Sequence, residues 1–585
     1  MTVKKIKVCN VFIAIFLLNF ASLSGQQTKN EECQPIFNPE VMNFEGENSL
    51  SNSPMLFNST NEYHAVLDTV QFHEGSKSLK ITGNNFSSKT FATTSFEIPL
   101  KVETGTNLEV SAWIKTDSLV GENSGALIRL IGYSEKKTTS PALFEFNENI
   151  VKGNSVWTKV YIKSTLNADL EQFSISALMQ GHGAAWFDQI TLKINGEKID
   201  ENKFLGFKED KNQIVKEIAQ YTEAFSPSNY SIIDKEFSNS RLIGLGEATH
   251  GTKEIFELKK NLIAYLVKNH NVRIIALEAY YQNTEVLNDY IQTRKGNAKE
   301  ILAHLEFWPY YTEGFLDLIS WLKEYNNTQS KKVAIVGIDA QSATQSLKYL
   351  KDEIKTKDGS LLLKALGEET LSLDKKLQLS DELLASLKNN KENEKIKRNA
   401  EILYQSYYLN QYTGLEYSRV RDSLMALNTE YLVTSLAEDE KAVLWGHDLH
   451  LQKKEGWTGG FLADKLGEKY LNMGFLLGSG TFTALDKTSR KLNNQNKLNP
   501  IICSSMESIL NKLEPPVQLV NMKAAGKNLI LNQYLFTKDL YKRSVGALDT
   551  AMQFQTVGEV PGDTFDYLIY LRSSKSSELL TKSKD

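Results

Sequence analysis

The sequence predicts an α/β protein: a mostly parallel central sheet flanked by helices, with a large helical insertion, preceded by an all-β sandwich of jelly-roll type. Three observations lead there. Up to residue 196 short segments alternate apolar and polar residues, the pattern of antiparallel strands with one wet face. Beyond residue 205 continuous apolar runs of strand length alternate with stretches of helical spacing, as when helices cover both faces of a parallel sheet. At 585 residues the chain is also too long for one ordinary core, so two or more domains are expected.

Taken in order, residues 1–25 (MTVKKIKVCNVFIAIFLLNFASLSG) combine a lysine-bearing start, an apolar stretch short for a membrane span, and small residues ending at Ser24 or Gly25. This is the layout of a secretory signal peptide, so a periplasmic or extracellular location is expected, with no membrane span after its removal. Residues 35–196 hold KSLKITG, LEVSAWIKT, ALIRLIGYS, WTKVYIKST and AAWFDQITLKING, with turn-formers between them. Their order resembles the carbohydrate-binding jelly rolls appended to secreted bacterial enzymes, which implies a glycan as a possible ligand. Trp113 and Trp186 are candidate sugar-stacking platforms, although tryptophans inside alternating strands more often belong to the core. The polar stretch over 197–210 reads as a linker, and the second domain is expected over about 205–575. Its strand candidates are RLIGLGE, VRIIALEAY, KVAIVGID, KAVLWGHD, GFLLGSGTF, VQLVNM and FDYLIYLRS, with helical spacing over 252–268 and 313–325. Residues 343–437 are rich in Leu, Lys and Glu and read as a helical insertion covering the sheet or closing over it.

Composition narrows the function classes. A formal net charge of −4, without a basic stripe, argues against nucleic-acid binding. Cys9 lies in the leading segment; Cys33 and Cys503 could pair in an oxidising compartment, but two cysteines make neither a disulfide framework nor a metal motif.

Ligands of open α/β sheets bind beyond the carboxyl ends of the strands. Four strand candidates end there in ionisable or polar residues: Glu247 and His250, then Glu278, then Asp339 with Gln341, then His447, Asp448 and His450. One acid at such a place is ordinarily a helix cap; four neighbouring strand ends point to a site. Two chemistries suit it. His250 could act as general base toward water, with a carboxylate fixing its tautomer. Alternatively Glu247, His250, His447 and His450 could bind a divalent metal that activates the water. No HExxH motif or CxxC pair supports the second, and Gly478-Ser479-Gly480 lacks the spacing of a nucleophile elbow. Gly244, Gly246 and Gly251 would let a ligand approach the backbone of the turn.

GLGEATHGTKEIFELKKNLIAYLV, IIALEAYY, VGIDAQ, RVRDSLMALN and WGHDLH occur in the order and approximate spacing of the erythromycin esterase family, which the chain resembles over residues 205–575. The resemblance implies an α/β fold with helical additions and hydrolysis of a small-molecule ester, a macrolide lactone in the family's characterised members, with no cofactor required. It implies that His250 activates water beside Glu247, that Glu278 is a second acid, and that His447 and His450 are the later histidine pair. Asp448 stands between that pair, where an asparagine is common. Lys259 matches a basic position on the first helix, and Arg421 lies in the RVRD stretch; with Asp339 and Gln341 they are expected to bind substrate. Two other classes stay open, a metal-dependent hydrolase acting on an envelope or extracellular substrate and a non-catalytic glycan-binding protein.

Overall fold

A computed structural model describes residues 33–580 apart from 36, 46–55, 59–61, 85–89, 135–140, 201–210, 294, 389–392, 487–488, 536–539, 550–552 and 557–563. The expected signal segment 1–25 and most of the expected linker lie outside the described residues. Among the described residues no helix is long and apolar enough to cross a membrane.

Among the described residues the N-terminal unit is a nine-stranded antiparallel sheet dominated by two long strands, Asn107–Tyr133 and Gln172–Ile194, which pair along nearly their whole length. Their register shifts between Asp117 and Gly125, opposite Gly181 and Gly183, both at positive φ. A Cβ on Gly183 would lie 2.4 Å from the Ser118 carbonyl oxygen, so the bend needs a residue without one. The buried faces of both halves enclose one core, including Leu79, Phe96, Ile114, Ile128, Phe173 and Phe187. Trp186 is buried and donates Nε1–H to Asp68 at 2.8 Å, while half-buried Trp113 lies stacked against His73 at 3.9 Å. Both tryptophans are thus packing groups and neither is an open platform. The unit also extends past its expected boundary: Glu197–Lys198 pairs with the preceding strand and Ile199 is buried in the same core.

The second unit is the α/β sheet. Its main strands are β1 (Thr222–Ala224), β2 (Leu242–Leu245), β3 (Val272–Tyr280), β4 (Ala334–Asp339), β5 (Lys441–Trp445), β6 (Tyr470–Asp486), β7 (Val517–Asn521) and β8 (Tyr567–Ser574), in the order β1-β7-β8-β6-β2-β5-β3-β4. Only β7 runs against the others. All of β2 and β5 is buried, which is why LIGL and KAVLW read as unbroken apolar runs capped by one snorkelling lysine. Helix α1 (Lys253–Asn269) buries Ile255, Phe256, Leu262, Ile263 and Leu266 on one face of the sheet. On the other, α2 (Gly414–Thr434) packs Met425, Ala426 and Leu432 over Leu242, Ala276 and Leu444. Among the described residues, α2 is the last of five helices between Thr344 and Thr434; the others share a smaller core through Leu350, Leu363, Leu383 and Leu403.

This order sets β2, β5, β3 and β4 side by side, so their carboxyl ends deliver Glu247, His447, Glu278 and Asp339 to one edge. The glycines around β2 do not open that edge to a ligand. Protein atoms fill the space beside them: Tyr470 at Gly244, the Asp448 carboxylate at Gly246, and the Thr483 carbonyl at Gly251. A Cβ on Gly251 would stand 1.9 Å from the Thr483 oxygen, and Gly251 itself accepts a hydrogen bond from Thr483 N–H at 2.8 Å. Gly251→Ala is therefore expected to destabilise the protein by about 1–3 kcal/mol through backbone displacement, read as a lower urea midpoint at an unchanged slope. An unshifted midpoint would show that the turn has slack there.

Candidate active site

Glu247 follows β2 directly and is almost completely buried. A carboxylate so placed needs partners, and three donors converge on it. Lys259 Nζ from α1 and Trp445 Nε1 from β5 approach Oε2 at 2.7 and 2.8 Å, and His250 Nδ1 approaches Oε1 at 2.6 Å. Burial alone would raise the carboxyl, but Lys259 and His250 outweigh it and hold it below the ordinary carboxylate range. With Nδ1–H bound to a carboxylate, His250 presents Nε2 with a free lone pair, the tautomer of a general base.

Glu278, at the end of β3, repeats the arrangement. Its Oε2 accepts the His447 backbone N–H at 2.9 Å; its Oε1 lies 2.9 Å from Arg421 Nη2 and 3.2 Å from His450 Nε2. Burial opposes ionisation, yet His450 and Arg421 hold this carboxyl well below the usual range. Arg421 comes from α2 and also bonds Asp339 Oδ2 through Nε and Nη2, at 3.2 and 2.8 Å.

His447 caps the N-terminus of the short helix α3 (Asp448–Leu451) and His450 lies within it, three residues on, and their electrostatics diverge. His447 Nδ1 accepts from Leu449 N–H and Nε2 donates to the Val545 carbonyl at 3.3 Å, so no carboxylate touches the ring. Burial, with His250 next to it, pushes His447 down to about 3, and it is neutral. Burial also opposes a charge on His450, but Glu278 and Asp422 overcome it and lift the ring to about 9. Asp422 Oδ1 lies 2.8 Å from His450 Nδ1 and is steadied by Thr458 through N–H and Oγ1–H at 2.9 and 2.7 Å. His250 stands 5.0 Å from His447, ring centre to ring centre, with Trp308 edge-on at 6.5 Å.

The structure therefore brings Glu247, His250, Glu278, His447, His450, Asp339 and Arg421 into one cluster. It departs from the expectation at four residues. Lys259 and Asp339, expected to bind substrate, are fully buried, with their charges paired to Glu247 and Arg421. Gln341 directs its side-chain amide to the Tyr417 hydroxyl at 3.2 Å. The Asp448 carboxylate turns beneath the site toward Lys542 and Phe475 N–H instead of facing the histidines. Trp445, Asp422 and Lys542 were not anticipated. Trp445 carried a usable signal, since a tryptophan buried in a parallel strand still needs an acceptor for its N–H.

The donors that a divalent cation would need are already engaged by protein groups. Glu247 and Glu278 already have both oxygens occupied, His450 has a carboxylate at each ring nitrogen, and Lys259 and Arg421 supply the positive charge a metal would bring. Among the described residues no three His, Cys, Asp or Glu side chains form a metal-binding group.

Comparison with known proteins agrees on the second unit. The family model described as erythromycin esterase matches residues 267–574. An Escherichia coli protein described as erythromycin esterase type II is 22% identical over 312 residues, covering 44% of this chain and 74% of that protein. Among solved structures, a Bacillus cereus protein aligns with a TM-score of 0.56 at 20% identity, covering 64% of this chain and all of the other. A succinoglycan biosynthesis protein aligns with a TM-score of 0.55 at 21% identity, with the same coverage. At such identities the two structures speak for the fold.

Two outcomes follow from the charges. Lys259→Met leaves a buried carboxylate without its cation and is expected to cost about 3–5 kcal/mol in urea unfolding; a loss below about 1 kcal/mol, typical of exposed pairs, would mean that water reaches Glu247. His450, raised to about 9, confers stability that is complete below the unfolded histidine value of about 6.5 and is lost as pH climbs through about 9. His447, lowered to about 3, acts in the opposite sense: stability falls as pH drops from about 6.5 toward 3. In unfolding free energies measured from pH 5 to 10, His450→Gln should abolish the alkaline decline; an unchanged decline would place the titrating group elsewhere.

Proposed function

Since the chain belongs to the erythromycin esterase family, we propose that this hydrolase cleaves a neutral carboxylic ester with water activated on His250. The observation that carries the reading is the 2.6 Å contact between His250 Nδ1 and the buried Glu247 carboxylate. Glu247 keeps Nδ1 protonated, and Nε2 takes a proton from water as the water oxygen bonds to the ester carbonyl carbon. The imidazolium formed is stabilised by Glu247, and the negative charge developing on the carbonyl oxygen is opposed by Arg421 and protonated His450, each slightly exposed. When the intermediate collapses, the carbon–oxygen bond of the leaving group breaks and the departing oxygen takes the proton back from His250. The enzyme ends unchanged, with no covalent intermediate. His447, neutral and 5.0 Å away, adds no positive charge to disfavour the imidazolium.

The local charge favours an uncharged substrate. Glu247, Glu278, Asp339 and Asp422 face Lys259, Arg421 and protonated His450, one more anion than cation while His250 is neutral. An uncharged ester meets no net repulsion on binding, and the charge that develops on its carbonyl oxygen faces Arg421 and His450, the partly exposed cations of the set. The Escherichia coli relative's description makes an erythromycin-type macrolactone the first substrate to offer. Export belongs to the same proposal, supported by the leading segment 1–25 and by the Cys33–Cys503 disulfide, a bond that persists mainly in oxidising compartments.

The test is incubation of the purified mature protein with erythromycin and with simple aryl esters, followed by mass and absorbance. A product heavier by one water, or release of the phenol, is expected, unaffected by chelators. His250→Asn should lower kcat by about 100-fold or more, the usual contribution of a general base. Full activity in that variant, or loss of activity on chelation alone, would overturn the mechanism.

A further inference from the structure

Beneath the site lies a buried ion pair that none of the steps above uses. Asp448 is fully buried and sits between the two histidines of the second turn. Its backbone N–H donates to the Glu247 carbonyl at 3.0 Å, and its carboxylate accepts the Phe475 N–H of β6 at 3.1 Å. The carboxylate also presses on Gly246, where even a methyl group would be 2.0 Å from Oδ1. Asp448 thus touches the turn that carries Glu247 and His250 while belonging to the turn that carries His447 and His450.

Its counter-charge is Lys542, also buried, whose ammonium bonds Asp448 Oδ2 and lies 5.1 Å from the Phe565 ring centre. Lys542 opens a short segment that grips both turns again. Val545 N–H donates to the Ala248 carbonyl at 2.7 Å, and the Val545 carbonyl accepts from His447 Nε2 at 3.3 Å. Arg543, between them, is buried and tied to carbonyls of Leu477 and Gly478. The segment is therefore anchored to the sheet on one side and to both histidine turns on the other. Lys542 makes its one charged contact to those turns among the described residues.

We propose that Lys542 is a positioning residue for the candidate active site. By holding the Asp448 carboxylate in place it locks the 246–250 turn, the 447–450 turn and the 541–545 segment into a single unit, which sets His250 relative to His447 and the Glu278–Arg421–His450 cluster. The electrostatic consequence separates this role from ordinary packing. Removing Lys542 alone strands a buried carboxylate, removing the Asp448 charge alone strands a buried ammonium, and removing both leaves a neutral pair without that conflict. A pair that positions through charge must therefore show strong rescue in the double variant.

The kinetic part rests on the esterase reading above. Lys542→Met, Asp448→Asn and the double variant would be compared on an ester the parent protein hydrolyses, and in the rate at which diethyl pyrocarbonate modifies His250, read by peptide mass. Lys542→Met is expected to lower kcat by about 100-fold, the size of effect of a misplacement near 1 Å, with KM little changed, and to speed modification of His250 as the turn loosens. The double variant should recover most of kcat and the slow modification rate. If Lys542→Met does not fold, the deciding comparison is the double variant against Asp448→Asn, which the proposal requires to be the less active of the two. A double variant no better than either single, or a Lys542→Met protein indistinguishable from the parent, would overturn the proposal. If the parent hydrolyses no ester, the esterase reading fails by itself, and the modification rates alone decide the role of Lys542.

Discussion

A carboxylate buried at the end of a central strand is the constraint around which the second unit is organised. Glu247 cannot ionise there unless charge and hydrogen bonds are delivered to it, and two of the suppliers come from different layers. Lys259 is carried by the helix that follows the turn, and Trp445 by the neighbouring strand, 198 residues later in sequence. Both use Oε2, which leaves Oε1 for His250 alone. One oxygen thus secures the acid to the fold while the other orients a histidine at the surface of the site.

Glu278 divides its oxygens in the same way, one on the His447 backbone and one on Arg421 and His450. The result for the two later histidines is opposite, though they are three residues apart on the same turn. His450 has a carboxylate at each ring nitrogen and holds a proton to about 9; His447 has a carbonyl and a backbone N–H, and burial keeps it neutral down to about 3. Position along the chain cannot account for this divergence. It arises because α2 crosses above one ring and brings Asp422 to it, while the other ring faces the 541–545 segment, which offers only main-chain groups.

That contrast explains how far the sequence could be read. The strands were legible because both faces of a parallel sheet are covered, so runs such as RLIGL and IIALE are apolar throughout, and the polar residues closing them stand out. Glu247, His250, Glu278, His447 and His450 could be collected from those endings without knowing the strand order. The direction in which a side chain leaves the turn could not. Asp448 lies between two site histidines in sequence yet points beneath them, and Lys259 looks like a helix-surface lysine until Glu247 is seen to draw it inward. Lys542 lies in a stretch with no distinctive pattern, and its partner is 94 residues away. Asp422 was adjacent to a residue already singled out, but its use depends on where Thr458 and His450 fall in space.

The helical insertion has a second consequence for function. Its last helix, α2, supplies Arg421 and Asp422, so the positive charge that the proposed mechanism sets against a developing oxyanion and the acid that pairs with His450 both come from outside the sheet. The general base and its carboxylate, by contrast, belong to β2 and the turn after it. In the proposed mechanism proton transfer is thus built into the sheet, and the handling of carbonyl charge is built into the insertion, where the same helix packs through Met425 and Leu432 on the strands. A change in the insertion that shifted α2 by a fraction of a turn would carry Arg421 away from Glu278 and leave the His250–Glu247 pair intact. In the proposed mechanism, assistance to the carbonyl therefore depends on the placement of one helix, while the base does not.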